Sequence, residues 1–150
     1  GSITLDGSEN ASVQYAACCR PVPGDPIVGY LGRGEGLVVH HAQCGVAKKL
    51  QHKDGERFIA VDWSDEPTRQ FETGITVTVT NGKGVLARIA SEFANSEADI
   101  VRVDMDDAMD TTDLRFVAAV RDQHHVEAVL RNLRRTHSVL RAFRVLPQPA

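Results

Sequence analysis

All three cysteines of the chain fall between Cys18 and Cys44. The stretch opens as Cys18-Cys19-Arg20-Pro21-Val22-Pro23-Gly24-Asp25-Pro26-Ile27-Val28-Gly29 and closes, after several glycines, as Val38-Val39-His40-His41-Ala42-Gln43-Cys44-Gly45. Thiolates and imidazoles are the ligands of a tetrahedral zinc ion, so a Cys3His set of Cys18, Cys19, His40 and Cys44 would tie two distant segments to one point. On a helical turn His40 and Cys44, at i and i+4, face the same side. The adjacent cysteines are harder to place. Neighbours on a strand point to opposite faces, so both reach one ion only where the backbone turns, and Pro21, Pro23 and Gly24 offer such a turn. Two other uses stay open: small buried core residues, and a disulfide, which between Cys18 and Cys19 would be strained.

An odd number of cysteines without a regular framework points to a reducing, cytoplasmic setting rather than a secreted scaffold. No apolar run approaches the ~20 residues that span a bilayer, so no membrane segment and no signal peptide are expected. Gly1-Ser2 reads as the scar of a cleaved tag, which places the start of the chain inside a longer protein. The net charge of -3 over 150 residues lacks the basic excess of an autonomous nucleic-acid binder. With aromatics at 5% against 42% hydrophobic residues, the core must be aliphatic.

Residues 1–12 read as tag and linker, without structure. A first domain, 13–66, follows. Val13 to Cys18 is a short strand, and Ile27–Leu31 and Leu37–His40 form a hairpin across Gly32, Gly34 and Gly36, which supply the positive φ of tight turns. The glycines could instead admit a phosphate, but no Gly-Lys-Ser/Thr follows and no helix opens directly from the loop, which argues against a P-loop. Ala42–Leu50 has helical spacing with Val46 and Leu50 on one face, and Phe58–Trp63 alternates as a strand. Ser64-Asp65-Glu66-Pro67 marks a boundary.

The second domain, 67–150, carries the clearer periodicities. Phe71–Thr80 is a strand with Ile75, Val77 and Val79 on one face and threonines on the other. Val85–Asn95 is an amphipathic helix, with Leu86, Ile89, Ala90 and Phe93 in phase. Strands at Ile100–Met105 and Leu114–Val120 flank a polar hairpin loop from Asp106 to Asp113. A second helix, His124–Arg135, turns Val126, Val129, Leu130 and Leu133 inward, and Val139–Val145 is a last strand. The order βαββαβ is the ferredoxin-like plan, and the fold class is α+β: a small α/β domain and then this one. One sheet face is left without helices.

These motifs carry a resemblance. Cys18-Cys19-Arg-Pro-x-Pro-Gly-Asp-Pro-Ile-Val-Gly, with His40-His41-x-x-Cys44, resembles the zinc-finger-like, or ribosome-intersubunit, domain of the long RelA/SpoT enzymes, which make and degrade the alarmone (p)ppGpp. The rest of the chain resembles their terminal ACT domain, and the paired histidines are closer to the SpoT or bifunctional branch. The resemblance implies zinc at Cys18, Cys19, His40 and Cys44, with His41 outside the pattern. It also implies a regulatory fragment of the stringent response without catalytic residues, its hydrolase and synthetase domains lying N-terminal and needing their own metal. The partners implied are those catalytic domains, a second ACT domain, ribosomal RNA, and an amino-acid effector such as a branched-chain one.

The loop Asn81-Gly82-Lys83-Gly84-Val85-Leu86 stands between the first strand and first helix of the second domain, where free N–H groups attract anionic ligands. The resemblance makes Asn81, Gly82, Gly84, Val85 and Leu86 candidate effector contacts. The alternative is that the glycines only permit the turn. Arg131, Arg134, Arg135, Arg141 and Arg144 form a basic group on the second helix and last strand, opposed by the aspartates between Asp104 and Asp113. Such groups are commonly solvated; the resemblance adds RNA contact or intramolecular charge pairing. No serine sits in a nucleophile elbow, and His124 and His125 are expected on a helix surface.

Overall fold

The computed structural model describes residues 2–10 and 12–147. Gly1, expected in the tag, Ala11, expected in the linker, and residues 148–150, expected in the second domain, lie outside them. The chain divides into two units, one running to Phe71 and taking in Leu146 and Pro147, and one from Glu72 to Val145.

The first unit contains β1 (Ile3–Leu5), β2 (Val13–Tyr15), β3 (Ile27–Leu31), β4 (Leu37–His41), α1 (Gly45–Asp54), a 3-10 turn (Gly55–Arg57), β5 (Phe58–Ile59) and β6 (Val61–Trp63). Four strands form a sheet in the order β2-β4-β3-β5, and β1 pairs separately with β6. The β3–β4 hairpin has Ile27 opposite His41 and Leu31 opposite Leu37. Gly34 and Gly36 take φ of 102° and 77° in its loop, whereas Gly32 is not left-handed. Position 36 admits only glycine, because a Cβ there would fall 2.3 Å from the Ser12 carbonyl oxygen.

Three expectations change here. The segment 3–12 is not without structure: Ile3, Thr4 and Leu5 pair in parallel with Val61, Asp62 and Trp63. Leu5 is fully buried and packs with Leu37, Val39 and Val61. A three-residue strand is too short to reveal a period, and its partner is remote in sequence. The strand expected over Phe58–Trp63 breaks at Ala60, so that β5 pairs with β3 and β6 with β1. Finally, α1 starts at Gly45 and buries Gly45 and Ala47, while Val46 is exposed.

The second unit runs β7 (Phe71–Thr80), α2 (Val85–Asn95), β8 (Asp99–Asp107), β9 (Thr111–Val120), α3 (Gln123–Arg134) and β10 (Val139–Arg144). Sheet order β10-β7-β9-β8 is that of the ferredoxin-like plan. Helix α2 contacts α3 and β8, and α3 contacts β10. Most of the positions with the expected periods are buried, among them Ile75, Val77, Val79, Ile89, Phe93, Val126, Val129, Leu130 and Leu133, but on α2 Leu86 is exposed and Ala90 half-buried, and Val85 is buried instead. Phe93 and Phe116 meet with ring centroids 4.5 Å apart. The β8–β9 hairpin is tighter than expected, since Asp106 and Asp107 pair with Asp113 and Thr112 within the ladder.

The sheet face without helices is largely polar, as an antiparallel sheet facing water allows, with Phe143 and Val117 among its apolar members. Thr78 donates to Asp113 at 2.6 Å and Arg141 donates to Thr78 at 3.2 Å. Arg115 pairs with Asp106, and Arg102 lies 3.7 Å from Asp104. His125 corrects another expectation, being buried rather than on a helix surface. Its Nδ1 accepts from the Arg121 N–H at 2.9 Å, and Nε2 then carries the proton and donates to the Ser96 carbonyl at 2.6 Å.

Candidate functional site

The chain leaves β2 and turns at once. The N–H groups of Cys19 and Arg20 both reach back to the Ala16 carbonyl, at 3.4 and 2.8 Å, and Arg20 takes a left-handed φ of 45°. Adjacent residues on a helix-like turn diverge by about 100° rather than by the half-turn of a strand. Both sulfurs therefore reach one point, and the turn that allows it lies before Pro21, not at the prolines. His40 sits near the end of β4, while Cys44 caps α1 after a turn in which its N–H donates to the His41 carbonyl at 3.0 Å. The two share a site as strand end and helix start, not as i and i+4 of a helix.

Cys18, Cys19, His40 and Cys44 bring four donor atoms within 4.8 Å of one another. Cys18 Sγ lies 3.9 Å from Cys19 Sγ and 3.6 Å from Cys44 Sγ. His40 Nδ1 lies 3.5 Å from Cys18 Sγ and 3.8 Å from Cys19 Sγ. A zinc tetrahedron with Zn–S of about 2.3 Å and Zn–N of about 2.0–2.1 Å has S···S edges of about 3.8 Å and S···N edges of about 3.6 Å. Those four edges match such a tetrahedron, and with all four donors within 4.8 Å of one another the cluster fits zinc. The three cysteines are free thiols, which removes the disulfide alternative.

Burial pushes the Cys18 thiol above its ordinary pKa, aided by Cys44 beside it, and burial likewise pushes up Cys19. Burial opposes ionisation of Cys44 too, but the N–H groups of Ala47 and Val46 at the start of α1, with the neighbouring thiols, outweigh it and hold Cys44 low. Burial lowers His40, which keeps the imidazole neutral and its nitrogen lone pair available. The arrangement suits one thiolate formed early and two more that ionise against a cation.

Sequence reasoning missed two residues at this site, His41 and Asp25. Both are buried. The His41 N–H donates to Cys19 Sγ at 3.2 Å, and its Nδ1 accepts from the Gln43 N–H at 3.0 Å. Its Nε2 faces Asp25 Oδ1 at 3.9 Å. Asp25 Oδ2 accepts from the Val22 N–H at 2.8 Å, and the Asp25 carbonyl accepts from Trp63 Nε1 at 3.0 Å. The available signals were an aspartate between Gly24 and Pro26, where a side chain commonly folds back onto the backbone, and a second histidine beside the first.

In the second unit a cleft of about 110 Å³ is lined by Val79, Asn81, Gly82, Val85, Leu86, Met105, Thr112 and Leu114. Four of the five candidate effector residues meet there. Gly84 does not: with φ of 74° it caps α2, and a Cβ on it would meet only the Arg88 guanidinium at 3.6 Å. The Thr112 hydroxyl bridges the Asn81 amide and the Asp107 carboxylate, and Asn81 Nδ2 donates to the Met109 carbonyl at 3.4 Å. Asn81 therefore also ties the β8–β9 hairpin to the cleft.

The five arginines do not form one patch. Arg134 holds the Ala142 carbonyl with two bonds of 3.0 and 2.7 Å, and Arg135 bonds Asn132. Arg144 donates to Thr73 at 3.1 Å. Arg141 lies with Thr78 and over the Phe143 ring, on the face opposite Ala142 because side chains alternate along β10. Arg131 is exposed on α3. No helix among the described residues is long and apolar enough to cross a membrane.

Comparison with known proteins matches each unit. Residues 3–64 match the family described as the RelA/SpoT RIS domain, and residues 67–144 match the family described as the ACT domain. The bifunctional (p)ppGpp synthase/hydrolase SpoT of Escherichia coli K12 is 30% identical over 145 residues, covering 96% of this chain and 20% of that protein. The bifunctional (p)ppGpp synthase/hydrolase RelA of Mycobacterium tuberculosis is 29% identical over 144 residues, covering 95% of this chain and 19% of that protein. The crystal structure of the ACT domain from GTP pyrophosphokinase of Chlorobium tepidum covers 51% of this chain and 99% of its own, at a TM-score of 0.46 and 14% identity. The chain spans about a fifth of the length of the curated relatives it matches. What it matches are regulatory domains of such proteins and not their catalytic ones. The chain belongs to the ACT domain family over residues 67–144, just over half of its length, and residues 3–64 before them match the RelA/SpoT RIS domain.

Proposed function

We propose that this chain is the nutrient-sensing regulatory part of a bifunctional (p)ppGpp synthetase/hydrolase, acting in the cytoplasm on catalytic domains that precede it in a longer protein. The domains of this reading run 13–66, with β1 added to it, and 67–150. Zinc held by Cys18, Cys19, His40 and Cys44 is structural, because four protein ligands leave no open position for chemistry. The ion supplies cross-linking of the two arms of the first unit. Cys18 and Cys19 bring one arm to it, His40 and Cys44 the other.

The observation that carries the sensing role is the α2 cleft. Its apolar wall of Val79, Val85, Leu86, Met105 and Leu114 suits an aliphatic side chain, and it opens beside the first turn of α2, whose free N–H groups suit a carboxylate. A branched-chain amino acid has both parts. A second ACT domain packed over the cleft would complete the enclosure, which makes self-association part of the proposal. Such an effector shifts the parent only by binding its two states unequally, commonly by ~1–3 kcal/mol.

Titration calorimetry of the chain with valine, leucine and isoleucine tests this, alongside the full-length protein assayed for synthesis and hydrolysis. Heat of binding, lost on Leu86→Asp, is expected. A specific observation favours a second reading, an interaction module for ribosomal RNA or protein: the Asn81 side chain is engaged with Met109 and Thr112 rather than free for a ligand. No heat with any of the three amino acids, with ribosome association retained, would select it.

A further inference from the structure

We infer that Asp25 and His41 are positioning residues for the metal, acting as one unit that holds the two ligand-bearing arms in register. The inference rests on the zinc assignment above and concerns residues outside the donor set. The His41 backbone lies between the arms: its N–H holds the Cys19 sulfur and its carbonyl holds the N–H of Cys44. One residue so binds a donor sulfur of the first arm and the backbone of a ligand-bearing residue of the second. Its orientation is set by the side chain, where Nδ1 accepts from Gln43 and closes the turn that delivers Cys44. Because Nδ1 is an acceptor, the ring proton is on Nε2, pointing to the Asp25 carboxylate.

Asp25 belongs to the other arm. Its second oxygen takes the Val22 N–H, and its own N–H bonds the Val22 carbonyl at 2.9 Å, which closes the loop that follows Cys18 and Cys19. Pro26, next to it, accepts from the Ala42 N–H at 2.8 Å, so the arms are joined again beside the carboxylate. A buried carboxylate facing a buried imidazole is costly to build and is retained where orientation matters. Outer-shell partners of this kind commonly carry about 10- to 100-fold of metal affinity when removed.

The test uses the full 150-residue chain and zinc in competition with a chromophoric chelator, with cobalt(II) absorption as the record of coordination. The wild type is expected to bind one equivalent with a tetrahedral thiolate spectrum. Asp25→Asn and His41→Asn, which keep shape and one acceptor each, are expected to lose about 10-fold, and Asp25→Ala or His41→Ala up to about 100-fold. The double variant Asp25→Asn/His41→Asn is expected to lose no more than the weaker single, since both break one contact. Far-UV circular dichroism of the apo forms separates this from unfolding. If an alanine variant does not fold, the asparagine pair decides. Folded variants that bind zinc as tightly as wild type, or losses that simply add, overturn the inference while leaving the site intact. A wild type that takes up no metal overturns the zinc assignment itself and the inference with it.

Discussion

Cys18 Sγ and Cys44 Sγ lie 3.6 Å apart across a sequence separation of 26 residues. Both remain thiols. The contact is the span of a zinc tetrahedron's edge, and it closes the longest loop in the first unit's donor set. A cross-link over such a span acts largely on the unfolded chain, whose freedom it restricts.

Chelation should therefore loosen the first unit and spare the second. At free zinc of about 100 times its Kd the bound state gains about 2.7 kcal/mol. Trp63, the chain's single tryptophan, belongs to the first unit and reports on it by fluorescence. Zinc removal, or Cys44→Ser, is expected to lower the melting temperature seen at Trp63. A second unit that unfolds at the same lowered temperature would contradict the independence of the two.

Metal affinity should climb with pH. The Cys18 and Cys19 thiols are raised by burial, so they hold protons at neutral pH and must release them to bind; His40 is lowered and releases none. Protons then compete with zinc, and affinity falls as pH falls. Calorimetry in buffers of different ionisation enthalpy should find proton release on binding near neutrality, from Cys18 and Cys19 at the least. Uptake without proton release would contradict these protonation states.

Gly84 should matter to stability and not to the cleft. Its φ of 74° costs an ordinary L-residue about 1–2 kcal/mol, with asparagine the mildest replacement. Urea unfolding should rank glycine above Gly84→Asn and that above Gly84→Val. Ligand affinity in the folded variants is expected to stay unchanged, because a Cβ at 84 points to Arg88. Equal stability of the asparagine and valine variants would show that the backbone is relaxed there.

His125→Ala should cost about 1–3 kcal/mol beyond its lost packing, since it strands the Ser96 carbonyl and the Arg121 N–H. Urea unfolding is the measurement. His124→Ala, on the exposed neighbour, is the control and should stay within about 0.5 kcal/mol.

The contrast between these two histidines shows where sequence is silent. Val126, Val129, Leu130 and Leu133 announce their buried face by a 3.6-residue period, and β7 announces its own by strict alternation. A polar residue gives no such sign, because its burial depends on partners supplied by remote segments, here Ser96 for His125 and Asp25 for His41. The four clustered donors Cys18, Cys19, His40 and Cys44 were legible because their chemistry is rare and crowded. The turn that joins the two adjacent cysteines was not, since Ala16 and Arg20 are ordinary turn residues. Strand β1 escaped because three residues carry no period, and the break at Ala60 escaped because β5 and β6 are each too short to show one, while alternation along β10 sets Arg141 on the face opposite Ala142, which closeness in sequence hides.

The pairing of β1 with β6 has a mechanical consequence. Both strands run the same way, Ile3 beside Val61 and Leu5 beside Trp63. Tension between the chain before Ile3 and the chain after Trp63 pulls the two in opposite senses along their length. Every rung between them is then loaded at once, in shear, together with the bonds from Ile3 to Ala60 and from Ser64 to Leu5. A hairpin gripped at its open end would instead unzip rung by rung. A pull applied at those two points is borne by this strap in shear, bypassing the cluster of Cys18, Cys19, His40 and Cys44.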